Sequence, residues 1–337
     1  MIKKIICIVC ILALFLGSTG CGKNDKRISI GVVLGVGEAT RWKNEIKYME
    51  ERAKEKKVAI ETRLHKTSSE ESFMDECKAV IDKGIDVLLM TPESNSSVSD
   101  CTKIINYAKR KGVQVVSYVR YPLEVKVDLH IGHDNNKIGQ ILGQYLTEIS
   151  DHGDYIILSG DKDDSNAKEI YKGAMRYIEP IEDDIHILLN ENVPQWSTQE
   201  AKKMVKKAIE DNHHKVDAIL APNDKIAGAC IEVLQELNIT TNVNVTGMDA
   251  ELEAIQRIAK GTQAMSVYMD FRELAYLAID QAIELANGNS PKANAKLENG
   301  VKDGIDAKLI AGKVITKQNI NTAIIERGIF TKEQIYN

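Results

Sequence analysis

The stretch Lys83-Gly-Ile-Asp-Val-Leu-Leu-Met-Thr91 decides the fold class. Its centre, Ile85–Thr91, is a short apolar run behind a glycine, which reads as a strand buried on both faces. The residues on either side change period. Ser69–Lys83 before it and Ser97–Lys111 after it read as amphipathic helices, and the same alternation continues outward. Ile28–Leu34, Val58–Leu64 and Val113–Val119 read as further strands, with a helix over Lys43–Lys56. A second series follows at Tyr155–Ser159, Ile185–Asn190, Val216–Ala221, Val243–Gly247 and Ala264–Tyr268, again with helices between. Ala201, Met204, Val205, Ala208 and Ile209 follow i, i+3, i+4, i+7, i+8 spacing, and Leu274, Leu277, Ala278, Gln281, Ala282 and Leu285 nearly repeat it. Ser68 with Glu71 and Ser197 with Glu200 have capping-box spacing at two helix starts. Regular β-α-β-α alternation gives parallel sheets covered by helices on both faces, and two series give two α/β lobes.

Composition agrees. The chain has 337 residues, 43% hydrophobic and 28% charged, with a formal charge of −5. A mildly acidic chain without a dense basic stripe is a poor nucleic-acid binder. Residues 1–20 stand apart: Lys3 and Lys4 precede the apolar run Ile5–Leu16, too short for a spanning helix and suited to a secretory signal peptide. Removing them takes two lysines and no acids, so 317 residues remain at a charge of −7. That length suits two domains. Ser18-Thr19-Gly20-Cys21 resembles a bacterial lipobox, with Ser18 where leucine is usual, so Cys21 is the expected lipidation site. Gly22–Arg27 then reads as a tether. Cys7 and Cys10 fall in the signal segment. Cys77, Cys101 and Cys230 fall on apolar helix faces, as small buried hydrophobes do.

In open parallel sheets, ligands bind beyond the carboxyl ends of the strands. Those positions carry Arg41 and Trp42, then Tyr118-Val119-Arg120, Asp161 to Asn166, Trp196, Asn223-Asp224 and Met248-Asp249. Planar amides, carboxylates and guanidinium groups suit sugar hydroxyls, and the only two tryptophans suit the C–H faces of a pyranose. Strand-end Asp and Asn also serve as helix N-caps, and singly Asn223 or Asp249 reads that way. As a set on consecutive strand ends they read as a binding site. Gly35-Val-Gly37 lacks the third glycine of a dinucleotide loop, because Thr40 stands there, and there is no Walker A, H-E-x-x-H or G-x-S-x-G motif. His213-His214 reads as solvated. His130 and His133 flank a short strand at Leu129–Ile131 and make a weak metal case.

At these residues the sequence resembles the bacterial periplasmic sugar-binding proteins of the ribose/galactose/xylose type, most closely the D-xylose-binding proteins. The segments that carry the likeness include Arg41-Trp42, Tyr118-Val-Arg120, His133-Asp-Asn-Asn-Lys-Ile-Gly139, Asp164-Ser-Asn-Ala-Lys168, Pro222-Asn-Asp-Lys-Ile-Ala-Gly228, Gly247-Met-Asp-Ala250, Ala259-Lys-Gly-Thr-Gln263 and Leu297-Glu-Asn-Gly-Val-Lys-Asp303. The resemblance implies a type I periplasmic binding protein fold, two doubly wound parallel-sheet lobes joined by a three-strand hinge. It places the crossings near His133–Asp134, Tyr268–Asp270 and Ile305–Lys308. One lobe is then 28–133 with 270–305, and the other 134–269 with 306–337. It also implies sugar contacts from Arg41, Trp42 and Arg120 on one lobe, and from Asp164, Asn166, Trp196, Asn223 and Asp249 on the other. This chain departs from the xylose-binding pattern at three positions. Val119 replaces an Asp, Met269 a Lys and Met248 a Gln, all toward apolar.

The resemblance implies an extracytoplasmic protein that binds D-xylose or a related pentose; the lipobox at Cys21 adds a lipid anchor, and no cofactor or metal is expected. Its closed form would meet a membrane partner, an ABC permease or a sensor histidine kinase. A transcriptional repressor with the same core would carry a helix-turn-helix where this chain has its signal peptide. An α/β enzyme would need a nucleophile or metal constellation that the sequence lacks.

Overall fold

The computed structural model describes residues 27–36, 40–65, 70–92, 98–239 and 242–337. The signal segment, Cys21, the tether to residue 26, Gly37 and the Ser68 cap lie outside them.

The first lobe is built from β1 (Ser29–Val36), α1 (Thr40–Lys56), β2 (Ala59–His65), α2 (Glu70–Ile81), β3 (Val87–Met90), α3 (Val98–Arg110), β4 (Gln114–Tyr118) and β5 (Leu129–His133). The second contains α4 (Asn135–Ile149), β6 (Gly153–Ser159), α5 (Ser165–Ile178), β7 (Ile185–Asn192), α6 (Thr198–Asp211), β8 (Ala218–Leu220), α7 (Asp224–Glu236), β9 (Asn244–Val245), α8 (Leu252–Lys260) and β10 (Ser266–Tyr268). α9 (Phe271–Ala286), β11 (Ala295–Leu297) and β12 (Ile305–Ile310) return to the first lobe, and β13 (Lys313–Ile315) and α10 (Lys332–Tyr336) lie with the second.

The first sheet has seven strands in the order β11-β12-β5-β4-β3-β1-β2, all parallel except β11. The second runs β7-β6-β8-β9, all parallel, while β10 pairs antiparallel with β13. Successive residues feed opposite faces. Val87 and Leu89 join Ile30, Val32 and Leu34 under α1 and α9, whereas Leu88 and Met90 join Val33 under α2 and α3. Burial on both faces is why the decisive stretch is apolar without alternation. The second sheet repeats this, with Ile156 and Leu158 on one face and Tyr155 and Ile157 on the other. Cys77, Cys101 and Cys230 are buried.

The chain leaves the first sheet after His133, comes back between Tyr268 and Phe271, and crosses again at 311–312. The third crossing lies beyond the expected Ile305–Lys308, because Ala307–Ile310 pair in parallel with His130–His133. Residues 306–310 therefore belong to the first lobe. β11, β13 and α10 are short, with little periodicity to read, and have no counterpart in the sequence reading.

In the second lobe, α4 and α5 pack backbone to backbone. A Cβ on Gly139 would lie 1.9 Å from the Ile170 carbonyl oxygen, and one on Gly143 would lie 2.3 Å from that of Ala174. Neither oxygen is the end of a flexible side chain, so the helices must move apart to admit a larger residue. Gly143→Val is expected to destabilise the protein by about 1–3 kcal/mol or more through overpacking. Thermal or urea unfolding measures this, and an unchanged midpoint would show that the two helices slide apart freely.

Candidate functional site

The carboxyl ends of the two sheets approach each other, as the Arg120–Asp164 and Asn166–Val119 contacts show, and the space between the lobes there is the candidate gap. On the first lobe, α1 starts four residues after β1 and places Arg41 and Trp42 in its first turn. Trp42 is 7% exposed, and its ring lies so close over Gly35 that a Cβ there would meet Trp42 Cε2 at 2.2 Å. One turn on, Glu45 is fully buried and accepts from Arg41 Nε at 2.6 Å and from the Tyr118 hydroxyl at 2.5 Å. Glu45 thus ties the start of α1 to the end of β4. Burial pushes the Tyr118 hydroxyl well up, so it stays a donor. The Arg41 guanidinium also stacks on Trp42, 4.7 Å from the ring centroid, and on Phe271, 4.0 Å away.

Val119 has φ 66°, a strained conformation for a β-branched residue. That turn sends Arg120 toward the other lobe, where its Nε lies 3.6 Å from Asp164 Oδ2. Asn166 reaches back, donating from Nδ2 to the Val119 carbonyl at 3.4 Å and accepting from Asn135 Nδ2 at 2.9 Å. The lobes therefore touch along the β4–α5 line.

On the second lobe Trp196 mirrors Trp42. A Cβ on Gly160 would lie 2.1 Å from Trp196 Cζ2, so each tryptophan lies on a glycine near the end of its lobe's first sheet strand. Gln195 and Trp196 both have positive φ, 53° and 55°, in a turn whose Gln195 N–H donates to Asp161 at 2.5 Å. Asp164 and Asn223 do cap helices: they accept from Asn166 N–H at 2.8 Å and Ile226 N–H at 2.9 Å. Each keeps polar atoms beyond the cap. Asp249 caps nothing. It has φ 102° in the turn that follows β9, four residues past its end, and burial pushes its carboxyl up to about 7, against the pull of Arg41. Burial opposes the Arg41 charge, and Glu45 and Asp249 together outweigh it. Arg41 and Asp249 thus sense each other across the gap.

Glu45, and the inward direction of Asp224, escape sequence reasoning. Glu45 could have been found from its i,i+4 spacing to Arg41, although that spacing reads first as a surface pair. Asp224 sits next to the chosen Asn223 but points inward, 1% exposed. It accepts from Gln263 Nε2 at 2.9 Å, Ser266 Oγ at 2.8 Å and Glu251 N–H at 3.0 Å. Arg257 braces Gln263 at 2.9 Å and the Asp224 carbonyl at 2.8 Å. This network pins the turn that carries Asp249, whose next residue, Ala250, is also at positive φ and donates to Ser266 Oγ. Burial, then the charge of Asp249, raises Asp224 to about 7.

Val119 packs in the first lobe's core, and Met248 and Met269 in a core cluster of the second. Val119 and Met269 therefore belong to separate apolar clusters. His130 is buried with Nδ1 3.0 Å from Ser117 Oγ, and His133 is buried with its ring edge-on to Phe271. Among the described residues no group of His, Cys, Asp and Glu could hold a metal ion, and no helix is long and apolar enough to cross a membrane.

Residues 30–290 match the family of the periplasmic binding protein domain. The chain is 30% identical over 338 residues to the D-xylose-binding periplasmic protein of Escherichia coli (strain K12), covering 99% of each. It is 34% identical over 260 residues to the protein so named in Haemophilus influenzae, covering 77% of each. A similar solved structure is a carbohydrate-transporter solute-binding protein from Chloroflexus aurantiacus in complex with D-glucose. It has a TM-score of 0.81 at 26% identity, over 93% of this chain and 99% of that one.

Two outcomes follow from this geometry. Gly160→Ala is expected to displace Trp196 and change its fluorescence, and an unaltered spectrum would mean that the ring tolerates the methyl group. The second concerns pH. Burial, then the Arg41 charge, lowers His133 from 6.5 to about 3, so its contribution to stability is present above pH 6.5 and is lost as pH falls toward 3. Asp224 and Asp249 have the opposite sign: their contribution is present below about 3.8 and is lost as pH rises through about 7. His133→Phe should therefore gain on wild type by about 2–3 kcal/mol between pH 7.5 and 4.5 in urea melts. A constant difference across that range would mean that His133 takes up its proton in the fold as readily as in the unfolded chain.

Proposed function

This chain belongs to the periplasmic binding protein family, and within it we propose a lipid-anchored receptor for D-xylose or a related pentose. It is an extracytoplasmic sugar-binding protein and not an enzyme. The observation that carries the sugar reading is a pair of buried guanidinium donors at the gap. Arg41 Nη2 and Arg120 Nε are inaccessible and make no hydrogen bond within the protein, while Asp249 and Asp164 lie on the opposite lobe. Buried donors of this kind are costly unless a ligand pairs them, and vicinal hydroxyls present donor and acceptor at the required spacing. Trp42 and Trp196 offer flat apolar surface for the ring, and Asn166 and Asn223 supply amides that read a hydroxyl in either sense.

The pentose assignment is supported by the two D-xylose-binding relatives. The apolar replacements at Val119, Met248 and Met269 favour a ligand with few hydroxyls to satisfy there. Sugar clamped between the lobes stabilises the closed form, which is what an ABC permease or a sensor histidine kinase would read.

Calorimetry with a panel of pentoses and hexoses tests the ligand, with D-xylose expected to bind most tightly. Asp249→Asn should weaken it roughly tenfold to a hundredfold, the loss of one charge-assisted hydrogen bond of about 1.5–3 kcal/mol. Equal affinity in this variant would remove Asp249 from the sugar. Mass spectrometry of the protein from its native membrane should show an acylated Cys21 at the amino terminus, and an unmodified one would end the anchor reading.

A further inference from the structure

The Arg41 guanidinium is held in two ways. Its Nε donates to Glu45 at 2.6 Å, and its central carbon lies 4.0 Å from the centre of the Phe271 ring and 4.7 Å from that of Trp42. A hydrogen bond at one nitrogen fixes that atom and leaves the plane of the group free to turn. A ring stacked on the guanidinium fixes the plane, and with it the direction of the remaining donors of the fork. Phe271 is the nearer ring. Arg41 Nη2, which is buried and makes no hydrogen bond within the protein, therefore points where the Phe271 stack directs it.

Phe271 comes to Arg41 from the hinge. It is the first residue of α9, three residues past the end of β10 at Tyr268, and so stands at the second crossing. α9 packs in the first lobe through Leu274, Ala275 and Ala278. The half-buried Phe271 ring packs instead against the second-lobe cluster that contains Met248, Val267 and Met269. Its neighbour Asp270 caps α9 by accepting from Glu273 N–H at 3.0 Å, and also accepts from Arg327 Nη2 at 2.9 Å. The start of α9 is thus tied to the segment that follows β13. At the first crossing, His133 stands edge-on to the same ring, with centroids 5.5 Å apart and planes at 84°. Burial, then the Arg41 charge, favours the neutral imidazole, so His133 adds no second cation beside the ring.

A side chain that only filled this space could be exchanged for another of similar volume at little cost. A ring whose face carries a guanidinium cannot become leucine without releasing that cation. We propose that Phe271 is a positioning residue for sugar binding: its ring holds the Arg41 guanidinium in the plane that presents Nη2 to a hydroxyl, and it acts through Arg41 rather than on the sugar. This rests on the reading of Arg41 as a sugar contact; the stack itself stands without it.

Calorimetry with D-xylose on wild type, Phe271→Leu, Phe271→Tyr, Arg41→Ala and the Arg41→Ala/Phe271→Leu double variant tests it. Phe271→Leu should weaken binding by about threefold to thirtyfold, the span of a desolvated cation–π contact. Phe271→Tyr keeps the ring face and should stay within about twofold of wild type. In the Arg41→Ala background the leucine should add less than about twofold, because the group it positions is gone. A second reading needs no sugar and only the Phe271→Leu protein, so it stands even where Arg41→Ala fails to fold. In proton–nitrogen NMR spectra of the sugar-free chain, the Arg41 Nε–H resonance should move to lower field when the ring above it is removed. Unchanged affinity in Phe271→Leu would overturn the proposal, as would equal losses in the leucine and tyrosine variants or equal losses with and without Arg41. An Arg41 Nε–H resonance that does not move would overturn it as well. A wild type that binds none of the pentoses or hexoses would end the sugar reading, and the resonance would then decide by itself whether Phe271 holds Arg41.

Discussion

All three crossings between the lobes leave from the last residue of a strand: His133 ends β5, Tyr268 ends β10 and Ile310 ends β12. A hinge attached at the carboxyl ends of parallel strands forces both sheets to present those ends to one gap. The loops there carry the groups that a parallel sheet cannot pair internally, helix N-caps, positive-φ turns and the first turns of helices. Arg120 and Asp164 therefore meet, and the charges of Arg41 and Asp249 act on each other, although they come from distant parts of the chain. Topology alone brings them to the same place.

What they do there follows from burial. A charge removed from water must be paired, and each lobe has one carboxylate whose pairing is complete. Glu45 is held by Arg41 and Tyr118, and Asp224 by Gln263, Ser266 and the Glu251 N–H. These two fix the turns above them. The groups they support are left incomplete: Arg41 Nη2 and Arg120 Nε are buried and make no hydrogen bond within the protein. A rigid, satisfied lower layer beneath an unsatisfied upper one is the arrangement that preorganises a site for a polar ligand. The two tryptophans add the apolar counterpart, each seated on a glycine where any side chain would collide with the ring.

Much of this was legible in the chain. Ile85–Thr91 showed a doubly buried strand because burial on both faces removes alternation, and β3 occupies its core. Ser197 showed a helix start because its hydroxyl accepts from Glu200 N–H, as the spacing implied. The strand ends were legible because position after a strand is a local property. Glu45 and Asp224 were not, since a carboxylate's inward or outward direction depends on which distant side chains fill the space beside it. The third crossing was misplaced for a related reason: Ala307–Ile310 read equally well in either lobe until their pairing with β5 was formed.

The sequence by itself determined the α/β class, the two lobes and the strand-end residues, because periodicity, capping and turn chemistry act within a few residues of the chain. Only the tertiary structure decided which carboxylates are held by hydrogen bonds and that the charges of Arg41 and Asp249 act on each other. Those depend on desolvation and on charges brought together from segments a hundred or more residues apart, and no local pattern encodes them.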